Sequence, residues 1–398
     1  MLIVDAHLDL SWNALQWGRD LTRSVHTIRT QESATPGKGR GLGTVAFPEM
    51  RRGRVALCFA TVLARSTGQP VPHVDFAPPM QSYGVARGQL AYYRALERQG
   101  VARVIAGISA LDAHLAEWQA WEQAQGTGAS GQRPAARGQG AGDRGQGIVD
   151  VGPEQASSFN LQPSSVTPPL GFVISMEGAD PILSPDQLEE WHGLGLRLLG
   201  ITHYGPGRYA GGTATELGLT ALGPPLLAEM ERLGVALDLT HCSDQAFWQA
   251  LDRFGGPILA SHQNCRALVP HQRQFDDEQI RAVIERGGVI GAALDAWMLA
   301  PGWRIGERAD PANPPVVLRH VVDQIDHVCQ IAGNARHAAI GTDLDGGFGR
   351  EQSPGDLDTI ADLQEIPALL AARGYAEADV AGIMHGNWLR FLRGAWRV

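Results

Sequence analysis

The 398-residue sequence predicts an α/β fold, a (β/α)8 TIM barrel, from two observations. The first is a set of eight short apolar runs rich in Val, Ile and Leu, a pattern typical of parallel strands that are buried on both faces. The second is that helical patterns separate most of these runs, and eightfold alternation of strand and helix indicates a barrel. The runs are Leu2–Val4, Val55–Leu63, Phe172–Met176, Leu196–Thr202, Val235–Thr240, Ile258–Ser261, Val289–Leu294 and Ala338–Thr342.

Helical periodicity is clearest in the second half of the chain. It predicts helices over Gln245–Phe254, Asp276–Arg286 and Val317–Ala332, each between two of the apolar runs. A ninth apolar run, Val101–Ile108, could also be a strand. We interpret it as the lead-in to a helix that starts near Ser109, so the numbering of the strands is less secure than the residues at their ends.

A single domain over residues 1–398 is expected, because barrels often reach this length as one unit. The segment at about 122–168 differs in composition from the rest. Within 126–147 there are eight glycines and no Val, Ile, Leu, Met or aromatic residue. Such a segment cannot bury enough apolar surface to offset its ordering entropy, so it predicts a flexible surface insertion. A neutral insertion and a lid or tether are both open interpretations.

Composition argues against several classes of protein. The net charge is −9 and no dense basic stripe occurs, so nucleic acid is not an expected partner. The four cysteines are scattered, which favours reduced thiols in a reducing compartment. The sequence has neither a secretory signal pattern at its start nor an apolar stretch that could span a bilayer. We therefore predict a soluble, cytoplasmic protein that does not bind membranes.

The candidate catalytic and metal-binding residues lie at the ends of the predicted strands. Six of the predicted strands run into His, Asp or Glu, and a barrel places its active site at these C-terminal ends. Imidazole and carboxylate groups suit zinc and related divalent metals. His7 and Asp9 also lie on the same side of an extended strand, so both can reach one metal. The residues are His7, Asp9, Glu177, His203, His241, His262 and Asp343.

Each of these residues also has a structural explanation when it is taken alone. Glu177 could lie in a turn, and His241 could cap a helix, although Ser243 is the better cap. His262 could be a hydrogen-bonded histidine at a strand end, and Asp343 could serve the turn at Gly346. Their repeated occurrence at the same end of the strands favours a shared metal site.

Several motifs along nearly the whole chain resemble the membrane (renal) dipeptidase family of zinc peptidases, which are TIM-barrel enzymes of the amidohydrolase-like group. The 122–168 segment is outside the resemblance. The motifs are DAHLDL, ISMEGAD, LGLRLLGITH, LDLTHCS, PILASHQNCRALVPHQRQFDD, IGTDLDGG and HGNWLRFL, in that order.

The resemblance implies a binuclear-metal dipeptidase that hydrolyses small dipeptides by attack of a metal-bridging hydroxide, with two Zn²⁺ ions per chain. A homodimer is an expectation from the family. Asp343 would be the acid/base residue, with Asp345 as an alternative. His203 would bind the scissile carbonyl or its oxyanion, and Arg273 the free carboxylate of the substrate. One zinc would be held by His7, Asp9 and Glu177, and the other by Glu177, His241 and His262.

The sequence departs from the family pattern around the substrate. Leu8 stands where Asn is usual, and Ser11 where Pro is common. The loop after His203 carries Tyr204, Arg208 and Tyr209, which either shape the pocket or pack against the barrel rim. An alternative function is therefore a related amidohydrolase acting on an N-acyl amino acid, lactam or lactone. A metal-binding protein without activity and a phosphoesterase are weaker alternatives.

Overall fold

The computed structural model describes residues 1–68, 71–127, 167–306 and 310–396. Within these ranges the chain forms nine strands and thirteen α-helices. The strands are β1 (Ile3–Leu8), β2 (Val55–Leu63), β3 (Ala102–Val104), β4 (Leu170–Glu177), β5 (Leu196–Gly200), β6 (Ala236–Asp238), β7 (Ile258–Leu259), β8 (Ile290–Ala292) and β9 (Ala338–Ile340). The helices are α1 (Leu10–Gln16), α2 (Val25–Gln31), α3 (Phe47–Arg52), α4 (Pro79–Arg98), α5 (Ile108–Thr127), α6 (Leu188–Gly193), α7 (Gly223–Leu233), α8 (Asp244–Arg253), α9 (Asp277–Glu285), α10 (Leu318–Ala332), α11 (Ile366–Arg373), α12 (Glu377–Ala381) and α13 (Asn387–Ala395).

All the described strand pairings are parallel. Seven strands form one sheet in the order β1-β2-β4-β5-β6-β7, with β3 paired to β4, and β8 pairs with β9. Each of the eight predicted apolar runs contains a strand, and the three predicted helices are α8, α9 and α10. The predicted α/β class with a parallel sheet is confirmed.

Hydrogen bonds also join the two sheets at both of their borders. Ala260, just after β7, forms a parallel bridge with Ile290 of β8. On the other side, the amide of Asp343 donates to the carbonyl of His7 over 3.3 Å. The Thr342 amide donates to Asp5 Oδ1 over 2.8 Å. These contacts bring the C-terminal ends of the first and last strands together.

The ninth apolar run differs from its predicted role. Val101–Ile108 contains β3, which pairs with β4 over three residues, so it is a short strand and not only a lead-in to a helix. Helix α5 begins at Ile108 and continues to Thr127, so the first residues of the 122–168 segment are helical. The rest of the predicted insertion, residues 128–166, lies outside the described residues.

The core follows from the apolar strands and from close backbone contacts. All nine residues of β2 and all eight of β4 are buried, as expected for strands that are covered on both faces. Gly291 and Gly341 allow β8 and β9 to approach the chain after β7, because a Cβ at either position would overlap the carbonyl oxygen of Ser261. This close approach positions the neighbouring His262.

The other sequence-level expectations concern cysteines and membranes. All four cysteines are buried and free, as predicted. None of the helices in the described parts of the chain combines the length and the apolarity that a bilayer crossing requires.

Candidate active site

The structure brings the seven predicted strand-end residues into one cluster, and five of them line a cavity: Asp9, Glu177, His203, His241 and Asp343. All seven follow or end β1, β4, β5, β6, β7 and β9 at the same edge of the strands, as the sequence predicts. The side chains of His203 and Asp343 are the most exposed of the seven, at 14% and 16%. The other five are exposed by 9% or less. The two predicted catalytic groups are therefore the most accessible from the cavity, whereas two of the predicted metal ligands, His7 and His262, do not line it.

Glu177 lies at the centre of the cluster, and its two carboxylate oxygens face different groups. Oε1 is 3.1 Å from Nε2 of His241 and 3.3 Å from Nε2 of His262. Oε2 is 3.7 Å from Nε2 of His7. The Nε2 of His203 also lies 3.6 Å from Oε1, so a single carboxylate is in contact range of histidines from four strand ends.

The His7 side of the cluster is rich in carboxylates. Its Nε2 is 3.6 Å from Asp9 Oδ2 and 3.8 Å from Asp343 Oδ1. Groups of three ligand atoms that lie within 4.8 Å of one another are His7–Glu177–His262, Glu177–His203–His241 and His7–Asp9–Asp343. Mixed nitrogen and oxygen donor sets of this kind suit divalent metals such as zinc.

The buried histidines are oriented as metal ligands usually are. In three of them Nδ1 faces a buried hydroxyl, which leaves Nε2 directed at the cluster; such partners fix the ring orientation of ligating histidines. The pairs are His7 with Thr61 at 3.4 Å, His241 with Thr213 at 3.0 Å, and His262 with Ser261 at 2.9 Å. His7 Nε2 and Asp9 Oδ1 are buried without a hydrogen-bond partner. Because such unpaired atoms are costly in a folded protein, the residues present fit a bound cation.

His203 has a different partner from the other histidines. The Nη1 of Arg65 lies 3.4 Å from its Nδ1. An arginine can only donate, so Nδ1 accepts and the proton of a neutral His203 ring is on Nε2. His203 therefore presents an N–H donor to the cavity.

Burial lowers the pKa of His7, but Glu177, Asp9 and Asp343 raise it, and the net value is about 10. Burial controls the protonation of the rest of the cluster. It lowers the pKa of His203, His241 and His262 well below the usual range, and the nearby Arg273 lowers these pKa values further. The rings are therefore neutral, the form that binds metals. Burial raises the pKa of Glu177 to about 7 and that of Asp343 well above its usual value.

Hydrogen bonding, and not backbone conformation, separates Asp343 from its alternative, Asp345. Both residues have positive φ, at 58° and 63°. The carboxylate of Asp345 is fully occupied, because it accepts from the amide and hydroxyl of Thr44 at 2.7 Å, from the Val45 amide and from Arg19. Asp343 instead faces the cavity. The geometry therefore favours Asp343 as the acid/base candidate and gives Asp345 a structural role.

The substrate-side candidates also lie in the cavity, which has a volume of about 230 Å³. Arg273 lines it, and its Nη2 lies 3.3 Å from His241 Nε2 and donates to the carbonyl of His262 over 3.0 Å. Tyr204 lines it as well, with its ring centroid 5.1 Å from that of His241.

Arg208 and Tyr209 pack against the rim. The hydroxyl of the fully buried Tyr209 donates to the carbonyl of Ile182 over 2.6 Å. Arg208 Nη2 donates to the carbonyl of Leu183 over 2.9 Å. Of the three loop residues, only Tyr204 lines the cavity.

Several functional candidates were missed by the sequence analysis. Asp295 lines the cavity and follows the predicted strand Val289–Leu294, so the strand-end rule that found the other residues could have found it. Lys38 also lines the cavity and has a compositional signal, since it is the only lysine in the chain. Arg65 and the hydroxyl groups behind the histidines have no comparable signal.

Comparison with known proteins agrees with the geometry. A sequence profile of the membrane dipeptidase family (peptidase family M19) matches residues 164–398, more than half of the chain. The chain belongs to this family. Its members are metallopeptidases that hydrolyse the peptide bond of dipeptides, so the M19 assignment implies divalent metal binding and accounts for the donor set described above.

Two relatives found by sequence comparison are similar to this chain. The chain is 31% identical to an uncharacterised protein in the pqqA 5′ region of Klebsiella pneumoniae, over 57% of this chain and 83% of that one. It is 30% identical to dipeptidase aclJ of Aspergillus oryzae, over 56% of this chain; the match spans about half, 51%, of that dipeptidase.

Two crystal structures share the fold. A metallopeptidase from Rhodobacter sphaeroides, liganded with a phosphinate mimic of L-Ala-D-Ala, matches with a TM-score of 0.67 at 21% identity, over 100% of this chain and 99% of that one. The probable dipeptidase PvdM of Pseudomonas aeruginosa matches with a TM-score of 0.70 at 17% identity, over 100% and 96%.

Proposed function

We propose that this M19 family member is a binuclear-metal dipeptidase that cleaves the peptide bond of small dipeptides. The observation that carries the proposal is the position of Glu177, whose Oε1 faces His241 and His262 and whose Oε2 faces His7. A carboxylate placed in this way can bridge two cations. His7 and Asp9 would complete one metal site, and His241 and His262 the other.

The donor set defines what the metals would contribute. Neutral imidazole nitrogens and carboxylates fit two divalent ions, for which Zn²⁺ is the expected identity. When bound, such a pair lowers the pKa of a shared water toward neutrality, which makes hydroxide available to attack an amide carbonyl.

The side chains of the protein would carry the proton and charge. Asp343 accepts the proton of the attacking water and later donates it to the leaving amine, since its carboxylate faces the cavity where both groups would lie. His203 donates its Nε2–H to the oxygen of the scissile carbonyl as negative charge develops there. Arg273 binds the free carboxylate of the substrate, since a guanidinium can bind a carboxylate with two hydrogen bonds.

Dipeptides are the proposed substrates because the distance between Arg273 and the metal ligands is short. A fixed arginine close to the metal ligands selects molecules whose carboxylate lies one residue from the scissile bond. The dipeptide mimic bound by the Rhodobacter relative supports the same class of substrate. A homodimer stays a prediction.

The proposal includes a closed eight-stranded barrel that forms one domain, with the 122–168 segment as an insertion. The bridge from Ala260 to Ile290 supports closure on one side, and the bond from the Asp343 amide to the His7 carbonyl supports it on the other. The fold match to M19 structures over the whole chain also supports it.

The test is turnover of a panel of L,L and L,D dipeptides by protein whose metal content is measured, with and without added zinc. We expect cleavage that rises with metal content and reaches its maximum at two metals per chain. Two bound metals without cleavage of any dipeptide would contradict the dipeptidase proposal. N-acyl amino acids, lactams and lactones would then be assayed on the same samples.

The hydroxyl behind His262 gives a prediction about metal affinity. Ser261→Ala removes the partner of His262 Nδ1, and we expect the metal affinity to fall by about 10–100-fold, as for other changes of groups that orient metal ligands. The measurement is competition with a chelator of known affinity. Ser82→Ala is the control, because Ser82 is equally buried but donates to the carbonyl of Arg65. Equal affinities of the two variants would refute the prediction.

A further inference from the structure

The only lysine of the chain lies in the active-site cavity. The sequence contains 33 basic residues, and all of them except Lys38 are arginines. Arginines therefore form the surface ion pairs, such as those of Arg87 and Arg373. The single position with a lysine lines the same cavity as Asp343 and Arg273. A lysine carries a compact ammonium on a flexible side chain, so it binds ligands differently from the planar guanidinium of an arginine.

The backbone around Lys38 is held in place. Gly39 has a φ of 71°, and a Cβ there would lie 2.9 Å from the ring of Trp17 and 3.0 Å from the main chain of Phe348. Its carbonyl accepts from Arg19 over 2.7 Å, and Arg19 is itself paired with Glu32 at 3.0 Å. The packing of this segment thus fixes where the lysine enters the cavity.

The ammonium of Lys38 is available to a ligand. Among the described residues, no carboxylate lies within 4.0 Å of it and none accepts a hydrogen bond from it. Burial lowers its pKa, whereas the more distant Asp295, Glu351 and Asp343 act in the opposite direction. Three N–H donors on a half-buried cation are therefore without a protein acceptor, which favours an anionic ligand.

The carboxylate that acts most strongly on Lys38, that of Asp295, is already occupied. Both oxygens of Asp295 accept from the Gln352 amide, at 2.8 and 2.9 Å, and Oδ2 also accepts from the Trp297 ring nitrogen at 2.7 Å. Asp295 is thus a satisfied carboxylate in the cavity wall. A cationic ligand group at this place would meet the like charge of Lys38.

Strand order indicates which part of a substrate reaches Lys38; this step rests on the proposed function. The leaving nitrogen would lie at Asp343, after β9, and the terminal carboxylate at Arg273, in the segment after β7. Strand β8 pairs with β9 and is bridged to the chain after β7, so Asp295 follows the strand between them. The side chain of the carboxy-terminal residue would therefore face Asp295 and Lys38.

We propose that Lys38 is a specificity residue that binds a second carboxylate of the substrate, the side chain of an acidic residue at the carboxy-terminal position. The preferred substrates are then dipeptides that end in Asp or Glu. An apolar side chain at the same place would leave the ammonium desolvated and unpaired, which disfavours it.

The test compares kcat/KM for Ala-Glu, Ala-Gln and Ala-Ala, with L and D forms of the second residue, in the wild type and in Lys38→Gln. We expect the wild type to prefer Ala-Glu over Ala-Gln by about 10–100-fold, the range for a hydrogen bond to a charged group. Lys38→Gln removes that preference by slowing Ala-Glu more than Ala-Gln, whereas Lys38→Arg keeps much of it.

Arg40→Gln is the matched control for disturbance of the segment. Arg40 is two residues away, and its guanidinium lies 3.3 Å from Glu32 and over the Trp17 ring. We expect this variant to change all substrates alike. A wild type that cleaves dipeptides without preferring Glu, or a Lys38→Gln variant that slows all substrates equally, would overturn the inference alone. A wild type that cleaves none of them would overturn the proposed function as well.

The single lysine allows a second measurement that does not depend on turnover. Reductive methylation with ¹³C-formaldehyde keeps the charge and labels Lys38 and the amino terminus only. We expect glutamate, at concentrations that inhibit turnover, to shift the Lys38 signal, and glutamine at the same concentrations to leave it unchanged. Equal shifts with both ligands, or none with glutamate, would contradict binding of a second carboxylate by Lys38.

Discussion

Asp343→Asn is expected to retain both metals and to lose activity by about 10²–10⁴-fold, the usual contribution of a general acid/base group. The side chain faces the cavity, and its pKa is raised because it is buried. An amide has the same shape but can neither accept the proton of the attacking water nor return it to the leaving amine. The measurement is kcat on a dipeptide together with the metal content of the same sample.

Metal content decides between two roles for this residue. Asp343 Oδ1 lies 3.8 Å from His7 Nε2 and belongs to a possible ligand group with His7 and Asp9, so it could hold a metal instead of a proton. Loss of one metal together with activity would indicate a ligand. Full activity with both metals bound would exclude both roles.

Asp345→Asn is the control for the same turn. Asp345 supports the structure through Thr44, Val45 and Arg19, so its substitution should lower the free energy of unfolding by about 1–3 kcal/mol. Activity per folded and metal-loaded molecule should change little. The two aspartates lie two residues apart, yet we expect one to affect chemistry and the other stability.

The sequence predicts the ligand candidates because they obey a local rule. Each of them directly ends or follows a run of buried residues, and parallel strands bring their C-terminal ends to one edge. Asp295 follows β8 in the same way, but it is in none of the motifs that resemble the dipeptidase family. Strand β3 was missed as a strand because only three of its residues pair, too few for a clear periodic pattern.

The groups that orient the ligands could not be predicted in this way. Thr61 and Thr213 contact their histidines across 54 and 28 residues of sequence, and Arg65 contacts His203 across 138. Residues with hydroxyl and guanidinium groups are common, and their spacing in the sequence does not show which of them contact a histidine. Those contacts depend on how the strands are arranged in space. Conversely, closeness in sequence does not imply a place in the cavity: Tyr209 is six residues from His203, the proposed catalytic histidine, yet it is buried in the rim.

Glu177→Gln is expected to reduce the occupancy of both metals. The Oε1 atom faces His241 and His262, and the Oε2 atom faces His7, so one side chain contributes to two donor sets. Glutamine keeps the shape but removes the negative charge and one acceptor oxygen, which weakens the binding of two neighbouring cations. The measurement is the number of metals per chain after dialysis against a metal-buffered solution.

Asp9→Asn gives the comparison that isolates bridging. Asp9 lies near His7 and away from the other histidine pair, so this variant should lose one metal and keep the other. A bridging Glu177 predicts a different result, the loss of both metals from a single substitution. If Glu177→Gln also loses only one metal, Glu177 is a ligand of one site and the two sites are independent. If Glu177→Gln retains two metals, the histidines and Asp9 hold them without the Glu177 carboxylate, and Glu177 does not bridge them.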